Sequence, residues 1–235
     1  MGIFAISEII GMDGSQIITS SSSKPDLSAT DATRRRYQRL SPFYDVMEEL
    51  AERRYQPWRI KLWSQVEGLN VLEAGVGTGK NIPFYPVDIS ITGIDLTPGM
   101  LDRAQKRVGN LRLRSRVELL LGDVQQLDFR DGNFDSAVAS FVFCSVPDPV
   151  LGLHELKRVV KPGGQVLLLE HMRSPNPFLG VVMDLLNPLI VRVVGVNINR
   201  QTLENIRMAG LEIEQVEDLG AGGIFKLIMA RVPSK

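Results

Sequence analysis

The sequence has little cysteine, little histidine and no excess of charge, and each shortage excludes a class of protein. Cys144 is the only cysteine among 235 residues, so an internal disulfide is excluded and a reducing compartment, the cytoplasm, is expected. This cysteine and the two histidines are dispersed without the spacing of metal ligands, and we expect no metal site. The 27 lysines and arginines balance 27 aspartates and glutamates, which does not favour nucleic acid as a partner.

No basic leader or membrane span marks the N-terminal segment, residues 1–30. Its apolar start carries Glu8 and lacks the basic residues of a secretory signal. Serine, threonine and glycine dominate from Gly11 to Thr30, which predicts a flexible arm. We therefore divide the chain into an arm, 1–30, and a domain, 31–235.

The first part of this domain, residues 31–66, has the pattern of a helical cap. Aromatic and aliphatic residues recur there at steps of three and four, and the pattern breaks at Ser41-Pro42.

Short apolar runs then alternate with amphipathic stretches, which predicts strands separated by helices. The strands are expected at 69–74, 89–95, 116–121, 134–141 and 164–171. This alternation indicates a mostly parallel sheet with helices on both faces. The last apolar runs, 211–219 and 224–232, are joined by a Gly-rich turn that is too short for a helix, so these two strands are expected to be antiparallel.

Three glycines, Gly75, Gly77 and Gly79, form a turn between the first strand and a predicted helix, TGKNIPFY. Glycine lets backbone N–H groups and a helix N-terminus approach a bulky ligand, although any tight strand-to-helix turn favours it. The next two strands end in Asp95 and Asp123. Because parallel strands present their carboxyl ends at one edge of a sheet, these features predict a single nucleotide-type site. The alternative is that both carboxylates only cap the turns that follow them.

A dinucleotide dehydrogenase is the competing interpretation of this edge. A short-chain dehydrogenase needs a Tyr-x-x-x-Lys pair after the central strands, but the last tyrosine of this sequence is Tyr85. The glycine spacing also differs from the Gly-x-Gly-x-x-Gly fingerprint.

The chain resembles the class I S-adenosylmethionine-dependent methyltransferases over residues 37–231. Five segments in order carry the resemblance: VLEAGVGTGKN, GIDLTPGML, GDVQQLDF, FDSAVASFVFCSV and ELKRVVKPGGQVLLLEH. It is similar to the branch that holds quinone-biosynthesis C-methyltransferases, bacterial phospholipid N-methyltransferases and methyltransferase-like thiol methyltransferases. GVGTG and PFYP are similar to the phospholipid enzymes, whereas FVFCSVPDP, EHMRSP, LLNP and NINR are similar to the thiol enzymes. The resemblance implies an α/β, Rossmann-like, seven-stranded sheet, mostly parallel with an antiparallel last strand, helices on both faces and a helical N-terminal cap.

The resemblance also implies S-adenosylmethionine as cofactor, S-adenosylhomocysteine as product, and a set of contacts. These are Glu73, Gly75 and Gly77 at the methionine part, Asp95 with Leu96 at the ribose, Met100 against the adenine, Asp123 and Val124 at the adenine edge, and Ser140 at the sulfonium. Tyr37 and Tyr44 are the candidates for an aromatic residue that closes over the cofactor, where a cation beside a ring gains about 0.5–2 kcal/mol. The alternative is that both rings form only the apolar side of the cap helices.

In the implied reaction the acceptor displaces the sulfonium methyl group in line, so alignment and desolvation supply most of the catalysis. Tyr44 beside the sulfonium and His171 after the fifth strand are the candidate catalytic residues, His171 as a base for a protonated acceptor. The alternative for His171 is that it only hydrogen-bonds the loop. Cys144 is interpreted as buried packing.

An apolar insertion, residues 174–200, is expected on the substrate side. Asp184, Pro188, Arg192 and Gly195 interrupt it, so a membrane-spanning helix is not expected. It predicts a lipophilic acceptor. The family resemblance implies a phospholipid amino headgroup of the phosphatidylethanolamine type first, with a thiol or a quinone ring carbon as alternatives.

Two further possibilities stay open from the sequence. The insertion either covers the active site or touches a membrane peripherally. The cap also carries a basic cluster that either binds anionic headgroups or is simply a solvated helix face. Its members are Arg34, Arg35, Arg36 and Arg39. A protein that binds the cofactor without transferring its methyl group is the alternative from another class. The acceptor atom and the oligomeric state are not determined by the sequence.

Overall fold

Seven strands form one sheet in the computed structural model, which describes residues 24–193 and 195–234. They are β1 (Asn70–Ala74), β2 (Ser90–Asp95), β3 (Val117–Leu121), β4 (Phe134–Ser140), β5 (Val160–His171), β6 (Glu212–Leu219) and β7 (Phe225–Arg231). Their spatial order is β3-β2-β1-β4-β5-β7-β6, and β7 pairs antiparallel with both neighbours while the other pairs are parallel. The predicted fold class is confirmed.

Six α-helices are described, and they include helices on both faces of this sheet. They are α1 (Leu27–Leu40), α2 (Tyr44–Ser64), α3 (Pro98–Asn110), α4 (Pro149–Val159), α5 (Pro177–Val193) and α6 (Thr202–Met208), with 3-10 turns at Ile82–Phe84 and Ala221–Gly223. The predicted cap is present as α1 and α2, which separate close to the expected break at Ser41-Pro42.

Order starts before the predicted boundary of the arm. Helix α1 begins at Leu27 rather than near Asp31 because the Asp26 carboxylate caps it, accepting hydrogen bonds from the backbone N of Ser28 at 2.9 Å and of Ala29 at 3.2 Å. The remainder of the predicted arm, residues 1–23, lies outside the described residues.

Neighbouring residues of each central strand point to opposite faces and enter two separate cores. Leu72 and Leu168 pack with α4 and α6 on one face, whereas Val71 and Leu167 pack with α2 and α3 on the other. All four side chains are fully buried, as expected for a sheet covered on both sides.

Two strand ends differ from the prediction for local reasons. Strand β4 ends at Ser140 instead of 141 because Phe141 has a positive φ of 58°. Strand β5 begins at Val160 instead of 164 because Val160 pairs with Phe134 across a register irregularity that the glycines after it permit.

Candidate functional site

A cleft opens at the carboxyl ends of β1 to β4, beside the two cap helices. The space between its walls, open solvent included, is about 960 Å³. Ten of the eleven predicted cofactor contacts line it: Tyr37, Tyr44, Gly75, Gly77, Asp95, Leu96, Met100, Asp123, Val124 and Ser140. The fold therefore brings residues that are spread from the cap to the end of β4 to one place.

The three glycines of the turn after β1 have different tasks, although φ is positive at each. A Cβ on Gly75 would lie 2.5 Å from Val142 Cγ2, and a Cβ on Gly79 would lie 2.4 Å from Ile82 Cδ1. A Cβ on Gly77 would approach no atom beyond its chain neighbours closer than 4.0 Å, and Gly77 lines the cleft. Gly75 and Gly79 are thus required by internal packing, whereas Gly77 leaves its space to a ligand.

The α-helix predicted directly after this turn is wrong. TGKNIPFY forms hydrogen-bonded turns and the 3-10 turn Ile82–Phe84, with bonds from Gly79 N to Val76 O at 2.9 Å and from Ile82 N to Gly79 O at 3.1 Å. Pro83 has no N–H group and favours an extended residue before it, so an α-helix cannot continue here. After β1 a ligand therefore meets a glycine turn, whereas an α-helix N-terminus lines the cleft at Thr97, the start of α3.

Asp95, the last residue of β2, holds the glycine turn against the start of α3. Its Oδ2 accepts a hydrogen bond from Gly77 N at 2.9 Å and its Oδ1 accepts one from Thr97 N at 2.9 Å. The hydrogen bond from Thr97 N agrees with the alternative that Asp95 caps the turn that follows its strand. A carboxylate accepts about four hydrogen bonds, so Asp95 still offers lone pairs to a ligand. Burial raises the pKa of Asp95 to about 6.

Asp123, which follows β3, is bonded to the cap as well as to its own loop. Its carboxylate accepts hydrogen bonds from Gln125 N at 2.9 Å, from Gln125 Nε2 at 3.0 Å and from Thr30 Oγ1 at 3.4 Å. The Gln125 amide also donates to Thr30 Oγ1 at 3.0 Å and accepts from Asp148 N at 2.9 Å. Gln125, which sequence reasoning missed, thus joins α1 and the start of α4 to the edge of the cleft after β3.

Glu73 lies behind the cleft wall and acts on it through Asn81. Its Oε1 accepts a hydrogen bond from Asn81 Nδ2 at 2.6 Å, its Oε2 accepts one from the Tyr85 hydroxyl, and Asn81 Nδ2 also donates to Ser140 Oγ at 3.0 Å. Burial, the largest effect, raises the pKa of Glu73 to about 7, although the bonds from Tyr85 and Asn81 act in the opposite direction.

Arg59 of α2 continues this network into the cap and lines the cleft. Its Nη1 donates to Asn81 Oδ1 at 2.9 Å, its Nε donates to Glu52 Oε1 at 2.8 Å, and its guanidinium lies 5.5 Å from the centre of the Phe141 ring. Sequence reasoning missed both Asn81 and Arg59. Asn81 belongs to the quoted glycine-turn segment and could have been found, whereas nothing distinguishes Arg59 from the other arginines of the cap.

Asp45, at the start of α2, binds the glycine turn through its side chain. Its Oδ1 accepts a hydrogen bond from Thr78 Oγ1 at 2.7 Å, and its Oδ2 lies 3.1 Å from Arg103 Nη1 of α3. The preceding residue, Tyr44, therefore stays at the cleft, where its ring centre lies 6.3 Å from that of Tyr37.

The structure does not bring His171 into the cleft. The Phe225 ring contacts both the His171 ring, at 6.5 Å between centres, and the ring of the cleft-lining Phe141, at 6.3 Å. Burial lowers the pKa of His171, which also hydrogen-bonds the backbone of Asn197. A neutral ring bonded to a neighbouring loop agrees with the alternative interpretation rather than with a base beside Ser140.

The insertion folds as α5 and a following loop, with Pro188 inside the helix. Among the described residues, no helix is both long and apolar enough to cross a membrane. The loop reaches the cleft wall and the cap: Asn197 N donates to Cys144 O at 2.9 Å, and the side chain of Arg36 covers Gly195.

Comparison with known proteins identifies the family. Residues 72–168 match the family described as "Methyltransferase domain". A phosphatidylethanolamine N-methyltransferase from Cereibacter sphaeroides is 40% identical over 115 residues, 48% of this chain and 57% of that protein. The ubiquinone/menaquinone biosynthesis C-methyltransferase UbiE from Geobacter sp. (strain M21) is 31% identical over 163 residues, 66% of this chain and 68% of that protein. The thiol S-methyltransferase TMT1B from Homo sapiens is 32% identical over 140 residues, 55% and 57% of the two chains.

A solved structure supports the fold. The S-adenosylmethionine-dependent methyltransferase from Thermotoga maritima superimposes with a TM-score of 0.64 at 22% identity, over 84% of this chain and 98% of that one. In this chain the glycine turn leaves space in the cleft at Gly77, where no side chain fills it. With this match to the domain family, and with the UbiE protein aligned over two thirds of its length, the chain belongs to the S-adenosylmethionine-dependent methyltransferases, and S-adenosylmethionine is its cofactor.

Proposed function

We propose that this methyltransferase transfers its methyl group to the amino headgroup of a phospholipid of the phosphatidylethanolamine type. The observation that carries the proposal is an apolar, exposed face on α2 that starts next to the cleft-lining Tyr44. Its members follow helical spacing: Phe43, Val46, Met47 and Leu50 are 65%, 74%, 59% and 83% exposed. Such a face beside an active site suits a lipid acceptor, and the 40% identical relative named for this reaction supports the amine.

The same proposal includes contact with a membrane surface. Helix α5 of the insertion also exposes an apolar face, formed by Phe178, Val181, Leu185 and Leu189. On α1, the exposed arginines of the basic cluster can meet anionic headgroups, each contributing about 1 kcal/mol near such a surface. The protein would thus bind peripherally, with the cleft facing the lipid from which it draws its acceptor.

The carboxylates and apolar residues of the cleft would hold the cofactor. In this account Asp95 accepts the ribose hydroxyls with its remaining lone pairs, and Met100 and Val124 pack against the adenine. Asp123 accepts from the adenine amino group while Gln125 and Thr30 keep its carboxylate in place.

The other end of the cleft would orient the reacting centre. The cofactor supplies a methyl group that its sulfonium already activates, so the protein has to bind, align and exclude water. Ser140 is held by Asn81 at the sulfonium side, and the Tyr44 ring faces the cation. The displacement needs a lone pair on the acceptor nitrogen, and the apolar entrance favours the neutral amine that has one.

A thiol is the second candidate acceptor, and Arg59 favours it. A buried guanidinium that lines the cleft lowers the pKa of a nearby thiol and disfavours a cationic amine. The partner Glu52 reduces this effect by neutralising much of the charge.

The test is a labelled-methyl assay with phosphatidylethanolamine vesicles, a small hydrophobic thiol and a demethylated quinone in parallel. We expect label in the phosphatidylethanolamine, and no label with the variant Asp95→Ala. Label only in the thiol or the quinone would replace the proposed acceptor. No label in any pool, while S-adenosylhomocysteine still binds, would support a protein that binds the cofactor without transfer.

A double variant, Val46→Glu with Leu50→Glu, separates the membrane contact from the chemistry. It is expected to label vesicles about tenfold more slowly but to label dispersed short-chain phosphatidylethanolamine at the normal rate. Equal rates on vesicles for the variant and the wild type would contradict the membrane contact.

A further inference from the structure

One wall of the cleft is a segment without helix or strand structure of its own. This cleft-wall segment, residues 141–147, follows β4, and most of its members line the cleft: Phe141, Val142, Ser145, Val146 and Pro147. It is held in place by a polar cluster, part of it fully buried, that the proposed reaction does not use.

Three residues of this cluster bind the backbone of the cleft-wall segment at successive points. Glu170 Oε1 accepts hydrogen bonds from Val142 N at 2.8 Å and Phe143 N at 3.0 Å. The Asn197 side chain donates from Nδ2 to Cys144 O at 3.1 Å, and its backbone N donates to the same oxygen at 2.9 Å. Arg200 Nη2 donates to Val146 O at 2.6 Å.

The same cluster is bonded to the insertion. Asn187 of α5 donates to Asn197 Oδ1 at 3.3 Å and accepts from Ile198 N at 2.9 Å. Arg173 binds Asp184 of α5 at 2.8 Å, and its backbone N donates to the Arg200 carbonyl at 3.0 Å. The segments FVFCSVPDP, EHMRSP, LLNP and NINR, which lie far apart in the sequence, therefore meet in one unit.

This unit has unused hydrogen-bonding capacity. Glu170 is fully buried, and neither its Oε2 nor the Nε of Arg200 has a hydrogen-bond partner among the described residues. Buried polar atoms without partners are uncommon in stable packing, and they allow a second arrangement in which those bonds are made.

We propose that Glu170, Asn197 and Arg200 are positioning residues that couple the insertion to the cofactor cleft. Cofactor bound against the cleft-wall segment would stabilise the insertion through them, so that the acceptor side is ordered when the methyl donor is in place. Linkage requires the reverse effect as well, in which an acceptor on the insertion tightens cofactor binding. This inference rests on cofactor binding and not on the identity of the acceptor.

Hydrogen exchange with S-adenosylhomocysteine as the probe tests the coupling. In the wild type, binding is expected to slow the exchange of amides in 184–193 and 195–200 by about fivefold or more, although these residues do not line the cleft. In Asn197→Ala, binding should still protect the glycine turn, 75–79, while protection of the insertion is lost. Equal protection of the insertion in both proteins, or none in the wild type, would overturn the inference.

Two further variants distinguish coupling from general loss of stability. Gln165 lies in the same strand as Glu170, is equally buried and accepts a bond from Glu67 N at 3.3 Å, but it lies five residues before Glu170, near the middle of the strand. Gln165→Ala is expected to lower the stability of the fold and to keep the protection of the insertion that follows binding of S-adenosylhomocysteine. Loss of that protection in Gln165→Ala would contradict the coupling. Glu170→Gln retains an acceptor for both amides and should keep the protection, whereas Glu170→Ala should lose it. The labelled-methyl assay does not depend on the hydrogen-exchange result. The proposed acceptor and the proposed coupling can therefore be refuted independently of each other.

Discussion

Replacing Asp95 with alanine is expected to weaken the binding of S-adenosylhomocysteine by about a hundredfold or more. Two charge-assisted hydrogen bonds to the ribose, at about 1.5 kcal/mol each, together correspond to about a hundredfold in the dissociation constant. The variant also leaves the N–H groups of Gly77 and Thr97 without their acceptor, which loosens the turn that faces the ligand. Isothermal titration calorimetry measures the change.

Asp135 provides a matched control for this variant. Like Asp95, it accepts hydrogen bonds from two backbone N–H groups, those of Leu69 at 2.9 Å and Asn70 at 2.8 Å, but it does so at the opposite end of β1. Asp135→Ala should lower the stability of the fold and leave the affinity within about threefold of the wild type. An equal loss of affinity in both variants would show that Asp95 acts through stability alone.

Glu73→Gln is expected to remove a large part of the pH dependence of stability. Folding raises the pKa of Glu73 from 4.5 to about 7, so the folded state favours the protonated form. The stabilisation is complete below pH 4.5 and is lost as the pH rises through about 7. The shift corresponds to a fall in the free energy of unfolding on the order of 3 kcal/mol, which a glutamine, neutral at every pH, does not undergo.

Chemical denaturation of both proteins at pH 5 and pH 8 measures this difference. The wild type should lose more stability than the variant between the two values. The other buried carboxyls with raised pKa values, Asp95 and Glu170, are present in both proteins, so their effects cancel in the comparison. Parallel losses in the two proteins would mean that Glu73 is already ionised at pH 5.

The parts of the structure that follow from local rules were predictable from the sequence. Strand-helix alternation predicts the parallel strands, and the short turn before β7 predicts its reversed direction. Because parallel strands end at one edge, Gly77, Asp95 and Asp123 could be assigned to one cleft before their positions were known.

The parts that depend on packing between distant segments could not be predicted. Nothing in the sequence says that Asn197 reaches Cys144 O or that Arg59 reaches Asn81, because these contacts join residues from separate elements. The position of His171 shows the same limit. The end of a strand predicts the edge at which it lies, but Phe225 and the turn at Phe141 keep its ring out of the cleft.

The most direct test of the site is the crystal structure of the complex with S-adenosylhomocysteine. The account predicts ribose hydroxyls on Asp95, adenine between Met100 and Val124, and the sulfur next to Ser140 on the side of the insertion. A product molecule outside the cleft, or one whose ribose does not contact Asp95, would contradict it.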